Sequence, residues 1–94
     1  MRILSRRRLK EFWGLNPQAE TRLASWYRVA KSKSWQSLVE VREDFPHADA
    51  AGGFTVFNIG GNDFRLVTDV VCRVQTIYVK GVYTHAEYDR LRLE

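Results

Sequence analysis

Phe54-Thr55-Val56-Phe57-Asn58-Ile59-Gly60-Gly61-Asn62-Asp63-Phe64-Arg65-Leu66-Val67 is the stretch on which the fold turns. Two aromatic and β-branched runs flank Gly60-Gly61-Asn62-Asp63, residues that tolerate positive φ, which is the pattern of a β-hairpin. The second run continues to Cys72, and after Arg73-Val74-Gln75 a third run covers Thr76 to Tyr83. Strands joined by loops this short are antiparallel. Working outward, Thr84-His85-Ala86-Glu87-Tyr88-Asp89 opens a short terminal helix. Thr84 and Glu87 have capping-box spacing, and His85 and Tyr88 stand one turn apart on it.

Upstream the period changes. Met1 to Leu4 alternates like a short edge strand, and Ser5 can cap a helix from Arg6 to about Trp13 that Gly14 ends. Asn16-Pro17 is a helix start. Ala19, Leu23, Trp26, Tyr27 and Ala30 make an apolar stripe, so Pro17 to about Lys31 reads as the long helix. A third helix, capped by Ser34 and stopped by Pro46, carries Trp35, Leu38, Val41 and Phe45 inward. His47 to Gly53 reads as loop. The class is therefore α+β: one domain over 1–94, a twisted antiparallel sheet that includes the Met1–Leu4 strand, with the N-terminal helices packed on it. Trp13, Leu23, Trp26, Tyr27, Leu66 and Val79 are expected inside.

A chain of 94 residues supports one core, and 45% apolar residues are enough to build it. The single cysteine, Cys72, rules out an internal disulfide and suits a reducing cytosol. The basic cluster follows the first apolar run, the reverse of a secretory signal, and no run approaches a membrane span. Cytoplasmic location without membrane attachment is the expectation. The charge is uneven: residues 1–33 hold nine Lys/Arg against two acids, and the rest holds six against nine. A basic third that includes Arg6, Arg7, Arg8 and Lys10 fits a phosphate-rich or acidic partner, and it fits equally a solvated helix face.

Several residue types invite chemistry. Period 2 puts Arg65 and Lys80 on faces of neighbouring strands where a guanidinium and an ammonium can meet phosphate. His85 beside Tyr88 can handle a proton, since an ordinary imidazole titrates near ~6.5. On residues alone two readings stand open, the proton-handling pair and a Tyr88 packed on the sheet with His85 solvated. His47, His85 and Cys72 lack zinc spacing, so no metal is expected. Cys72 in an apolar strand is read as packing rather than as a nucleophile with His85. Gly60-Gly61-Asn62 has no following Gly-Lys-Ser/Thr and is not a P-loop.

Phe57 to Val67 and Thr84 to Asp89 resemble the HigB family of bacterial toxins from toxin–antitoxin pairs. Arg2-Ile3-Leu4-Ser5-Arg6, Leu9, Glu11-Phe12-Trp13 and Trp26-Tyr27 fit the same family, so the likeness spans nearly the whole chain. It implies a RelE-like fold and metal-independent cleavage of mRNA on the ribosome, in which the 2′-hydroxyl attacks the adjacent phosphorus. It also implies a helix-turn-helix, HigA-like antitoxin as partner, contact with DNA only through that antitoxin, and no cofactor. Carried over by position, Arg65 and Lys80 become phosphate clamps and His85 and Tyr88 the proton-handling pair. Asn62, Arg6, Arg7, Arg8 and Lys10 become RNA contacts. Many family members carry lysine where Gly60 and Asp63 stand, so basic groups are missing there. The competing functions are a non-catalytic inhibitor on the same fold, like the related gyrase poisons, and a plain RNA- or protein-binding module.

Overall fold

The structure is a computed structural model, and it describes residues 1–61 and 63–91. Strand β1 (Arg2–Leu4) leads into helix α1 (Arg6–Leu15). A 3-10 turn at Pro17–Ala19 starts helix α2 (Glu20–Ser32), and α3 (Leu38–Asp44) follows. Then come β2 (Asp49–Ala51), β3 (Phe54–Ile59), β4 (Phe64–Val71), β5 (Thr76–Thr84) and α4 (His85–Arg90). The strands form one sheet in the order β1-β5-β4-β3-β2.

The hairpin forms as read. Gly60 and Gly61 take φ of 65° and 68°, and the Asp63 N–H closes the turn onto the Gly60 carbonyl at 3.3 Å. Thr55 to Ile59 pair antiparallel with Thr68 to Phe64, and β4 pairs antiparallel with β5. A β-bulge interrupts that second ladder: Val67 faces Gly81 but Thr68 faces Val79, leaving Lys80 as the extra residue.

The sheet is mixed, which corrects the expected all-antiparallel arrangement. β1 runs parallel to β5, with Arg2 opposite Thr76 and Leu4 opposite Tyr78. No short turn joins these two strands. The chain passes through three helices before it returns, so the constraint that forces hairpins antiparallel does not act on β1.

Smaller differences have local causes. Helix α3 starts at Leu38, capped by Ser37, whose hydroxyl accepts from the Glu40 N–H at 3.4 Å, and not at Ser34. Trp35 is buried before that helix begins, and its indole N–H donates to Asp44 at 2.9 Å. Gly14 lies inside α1, which runs to Leu15, and the Ser5 side chain makes no cap bond. Part of the 47–53 loop is the short β2, which pairs with Phe54–Val56.

Helices α1 and α2 cover one face of the sheet. Leu9, Leu23, Trp26, Phe57, Leu66, Ile77 and Val79 are buried there, and Trp13 and Tyr27 are half-buried against them. Trp26 meets Phe57 edge-on at 5.3 Å, and Phe45 meets the same ring at 5.3 Å. Alternation, shifted by one residue at the Lys80 bulge, turns Arg65, Val67, Tyr78 and Tyr83 to the other, outer face.

Candidate functional site

The site sits where the hairpin turn, β4 and the start of α4 meet. Helix α4 is only six residues long, and its capping box is complete. The Glu87 N–H donates to the Thr84 hydroxyl at 3.2 Å, and the Thr84 N–H donates to Glu87 Oε1 at 2.8 Å. A further backbone bond, from the His85 N–H to the Asp63 carbonyl at 3.3 Å, ties the first turn of α4 to the hairpin. His85 is thus fixed by three elements although it lies near the chain's end.

Arg65 meets it there. It is nearly buried, with 9% exposed, and its guanidinium lies 3.0 Å from His85 Nδ1. A guanidinium only donates, so Nδ1 must accept. The neutral ring then carries its proton on Nε2, which faces Asp89 Oδ2 at 3.3 Å. Guanidinium, imidazole and carboxylate form a chain of three groups on the outer face. His85 and Asp89 remain more than half exposed at their side chains.

Tyr88 stands one turn from His85, half-buried, and its hydroxyl has no hydrogen bond among the described residues. Lys80 shares the outer face, but its ammonium rests 5.7 Å from the Tyr78 ring centroid. It stands three residues from Tyr83, the cross-strand partner of Arg65, roughly 10 Å along β5. The structure therefore joins Arg65 to His85 and places Lys80 further along the same face. The expectation for Asn62 falls outside the described residues.

Of the basic cluster, Arg6, Arg7, Arg8 and Lys10 are all exposed. Arg7 pairs with Glu11 at 3.4 Å, and the Arg8 guanidinium reaches the Lys80 carbonyl at 3.5 Å. Arg6 lies 4.8 Å over the Tyr27 ring. Arg6, Tyr27, Arg28 and Lys31 line a cleft of about 510 Å³ between α1 and α2. A second cleft of about 630 Å³, lined by Arg22, Trp26, Asn58 and Gly60 among others, contains none of the four candidate catalytic residues.

Cys72 is separated from this chemistry. It follows the far end of β4, whereas Phe64, at the near end, is opposite Thr84. Burial, with Glu40 nearby, pushes its thiol above the usual value, which disfavours the thiolate. Among the described residues no three of His, Cys, Asp and Glu gather as a metal would require.

The HigB toxin family, described as the RelE-like toxic component of a toxin–antitoxin system, matches over residues 19–91. The chain belongs to the HigB toxin family. Among similar HigB proteins is the mRNA interferase HigB of Escherichia coli O6:H1, strain CFT073. It is 31% identical over 94 residues, covering 97% of this chain and 91% of that protein. The mRNA interferase toxin HigB of E. coli K12 is 29% identical over 92 residues, 95% of this chain and 88% of its own length. HigB membership makes a cognate antitoxin the expected partner. Among the described residues no helix is long and apolar enough to cross a membrane.

Two neighbours of the Arg65–His85 pair, Asp89 and Tyr83, are not among the residues expected from the sequence. Asp89 was legible as the i+4 neighbour of His85 on a helix. Tyr83 was not, because its position beside Arg65 depends on the register of β4 against β5.

Proposed function

We propose that this chain is an endoribonuclease that cleaves mRNA and so inhibits translation, acting on ribosome-held message in the cytoplasm without a metal ion. The observation that supports the reading is the Arg65–His85–Asp89 chain, in which a nearly buried cation touches a half-exposed imidazole.

The step needs no cofactor. The 2′-oxygen forms a bond to the adjacent phosphorus and the bond from phosphorus to the 5′-oxygen breaks. The 2′-hydroxyl proton must leave and the 5′-oxygen must gain one. In the free protein Arg65 occupies His85 Nδ1. An entering phosphate competes for the guanidinium, whose fork suits two of its oxygens. That exchange frees the Nδ1 lone pair beside the phosphate, where it takes the 2′-hydroxyl proton. Asp89 on Nε2 steadies the imidazolium that results. Tyr88, a hydroxyl without a competing partner, donates to the leaving oxygen. Arg65 then holds the charge that develops on the phosphorane oxygens. Lys80 takes the RNA backbone further along, with Arg8 behind it, and Asn62, Arg6, Arg7 and Lys10 extend the contact.

The test is cleavage of ribosome-bound message by purified protein, mapped at its new 5′ ends. His85→Ala with Tyr88→Phe should abolish the new ends and leave antitoxin binding intact. Full cleavage by that double variant would remove the pair from the mechanism. Growth arrest with no new ends in the wild type would favour a non-catalytic inhibitor.

A further inference from the structure

Tyr83 has no task in the reaction just described, yet its placement is specific. It is the cross-strand partner of Arg65 in the β4–β5 ladder, on the outer face. Its ring does not point straight out from the sheet. A Cβ built on Gly81 would lie 2.6 Å from the Tyr83 hydroxyl oxygen, 2.8 Å from Cζ and 2.9 Å from Cε2. The phenol therefore lies back along β5, in the space that the missing side chain at Gly81 leaves. The bulge at Lys80 adjoins this spot and brings Tyr83 onto the face that Tyr78 and Lys80 share. Tyr78 follows on that face, 37% exposed, with the Lys80 ammonium 5.7 Å from its ring. β5 thus presents Tyr78, Lys80 and Tyr83 in sequence, with Arg65 beside the last.

Aromatic rings interleaved with cations on one sheet face are what single-stranded nucleic acid requires. The cations follow the backbone and the rings take the bases, with every base offering a π-face. Held over Gly81, the Tyr83 ring is half-buried and so keeps part of its surface open on that face. Two torsions hold it, so little freedom is lost when a base settles on it. We propose that Tyr83 is a stacking platform for the nucleobase next to the phosphate held by Arg65. It positions the RNA strand and takes no part in proton transfer. The inference rests on the RNA-cleaving reading and adds a base-binding subsite to it.

The alternative role for Tyr83 is to cover Gly81 and nothing more. A thermodynamic cycle separates the two. The probe is a short RNA whose scissile nucleotide is 2′-deoxy, so that it binds without being cut, with a single abasic nucleotide moved stepwise across the site. It is measured free and held as message on ribosomes with an empty A site. In the wild type, one abasic position next to the scissile phosphate should weaken binding far more than its neighbours, by roughly 5- to 100-fold. Tyr83→Leu should show the same loss with intact RNA and no added loss with that abasic RNA. Tyr83→Phe should bind like the parent. Equal affinity of Tyr83→Leu and parent for intact RNA overturns the platform, as does an abasic scan with no sensitive position. If Tyr83→Leu does not fold, the wild-type scan decides alone. A wild type that engages neither form of RNA overturns the nuclease reading itself. That result differs from binding that is tight but indifferent to Tyr83.

Discussion

Arg65 shows how one residue's surroundings set its chemistry. A cation that is only 9% exposed must be partnered, and His85 Nδ1 supplies a partner that a phosphate can displace. Arg65→Lys keeps the charge but loses the fork. We expect cleavage to fall about 10²- to 10³-fold, the loss of one preorganised transition-state donor, with the circular dichroism spectrum unchanged. Equal cleavage by Arg65→Lys and parent would show that a point charge suffices. Asp89→Asn should do less. Its oxygen can still accept from Nε2–H, and the pair is well exposed and screened, so roughly a tenfold fall in kcat with KM unchanged is expected. An unchanged kcat would reduce Asp89 to a surface neighbour. The sequence made His85–Asp89 readable, since four residues on a helix bring side chains together. The Arg65–His85 contact spans 20 residues, and only the folded register creates it.

The elements around the site are held by caps and short bonds rather than by depth. α4 buries no residue fully, so its capping box and its bond to the hairpin keep His85 in place. Thr84→Ala should cost about 0.5–2 kcal/mol of stability in urea unfolding and slow cleavage only a few-fold. A loss of cleavage as deep as that of His85→Ala would mean the cap shapes the site directly. On the far side, Asp44 accepts from the Trp35 indole at 2.9 Å and pairs with Lys33 at 3.2 Å. The indole bond first, and then Lys33, hold its carboxyl below the usual carboxylate value, against an opposing effect of burial. A depressed value stabilises the fold above the ordinary carboxylate range, near ~3.9, and that stability fades as pH falls through the folded value. Asp44→Asn should therefore lower the melting temperature at pH 7 and leave it closer to the parent's at pH 3. A uniform offset at both would assign the effect to packing. The capping box at Thr84 and the Gly60-Gly61 turn were legible because local residues dictate them. The parallel β1 and the bulge at Lys80 were not. Both follow from how distant strands meet, and period-2 alternation alone does not record a bulge that adds a residue.

At the scale of the molecule, the basic surface reaches beyond the proposed site. The outer sheet face carries the proposed chemistry. The α1–α2 surface carries Arg6, Arg28 and Lys31 around Tyr27, and among the described residues no acidic residue lines the cleft they share. Like charges held this close repel one another in the free protein, so a carboxylate entering the cleft relieves repulsion as well as adding attraction. The cognate antitoxin that the family implies is expected to place acidic side chains there, and against Arg7, Arg8 and Lys10. Arg28→Glu with Lys31→Glu should then slow antitoxin association by about tenfold or more at low salt, while cleavage by the free toxin stays near that of the parent. Neither residue belongs to the Arg65–His85 site, so the two readouts are independent. Raising salt should slow association of the parent more than it hastens dissociation, and it should narrow the gap between parent and variant, because a screened cleft no longer steers its partner. Stopped-flow association at two or more ionic strengths measures this. Equal rates for parent and variant at low salt would move the antitoxin off this surface. They would leave direct filling of the Arg65 face as the way in which it silences the toxin.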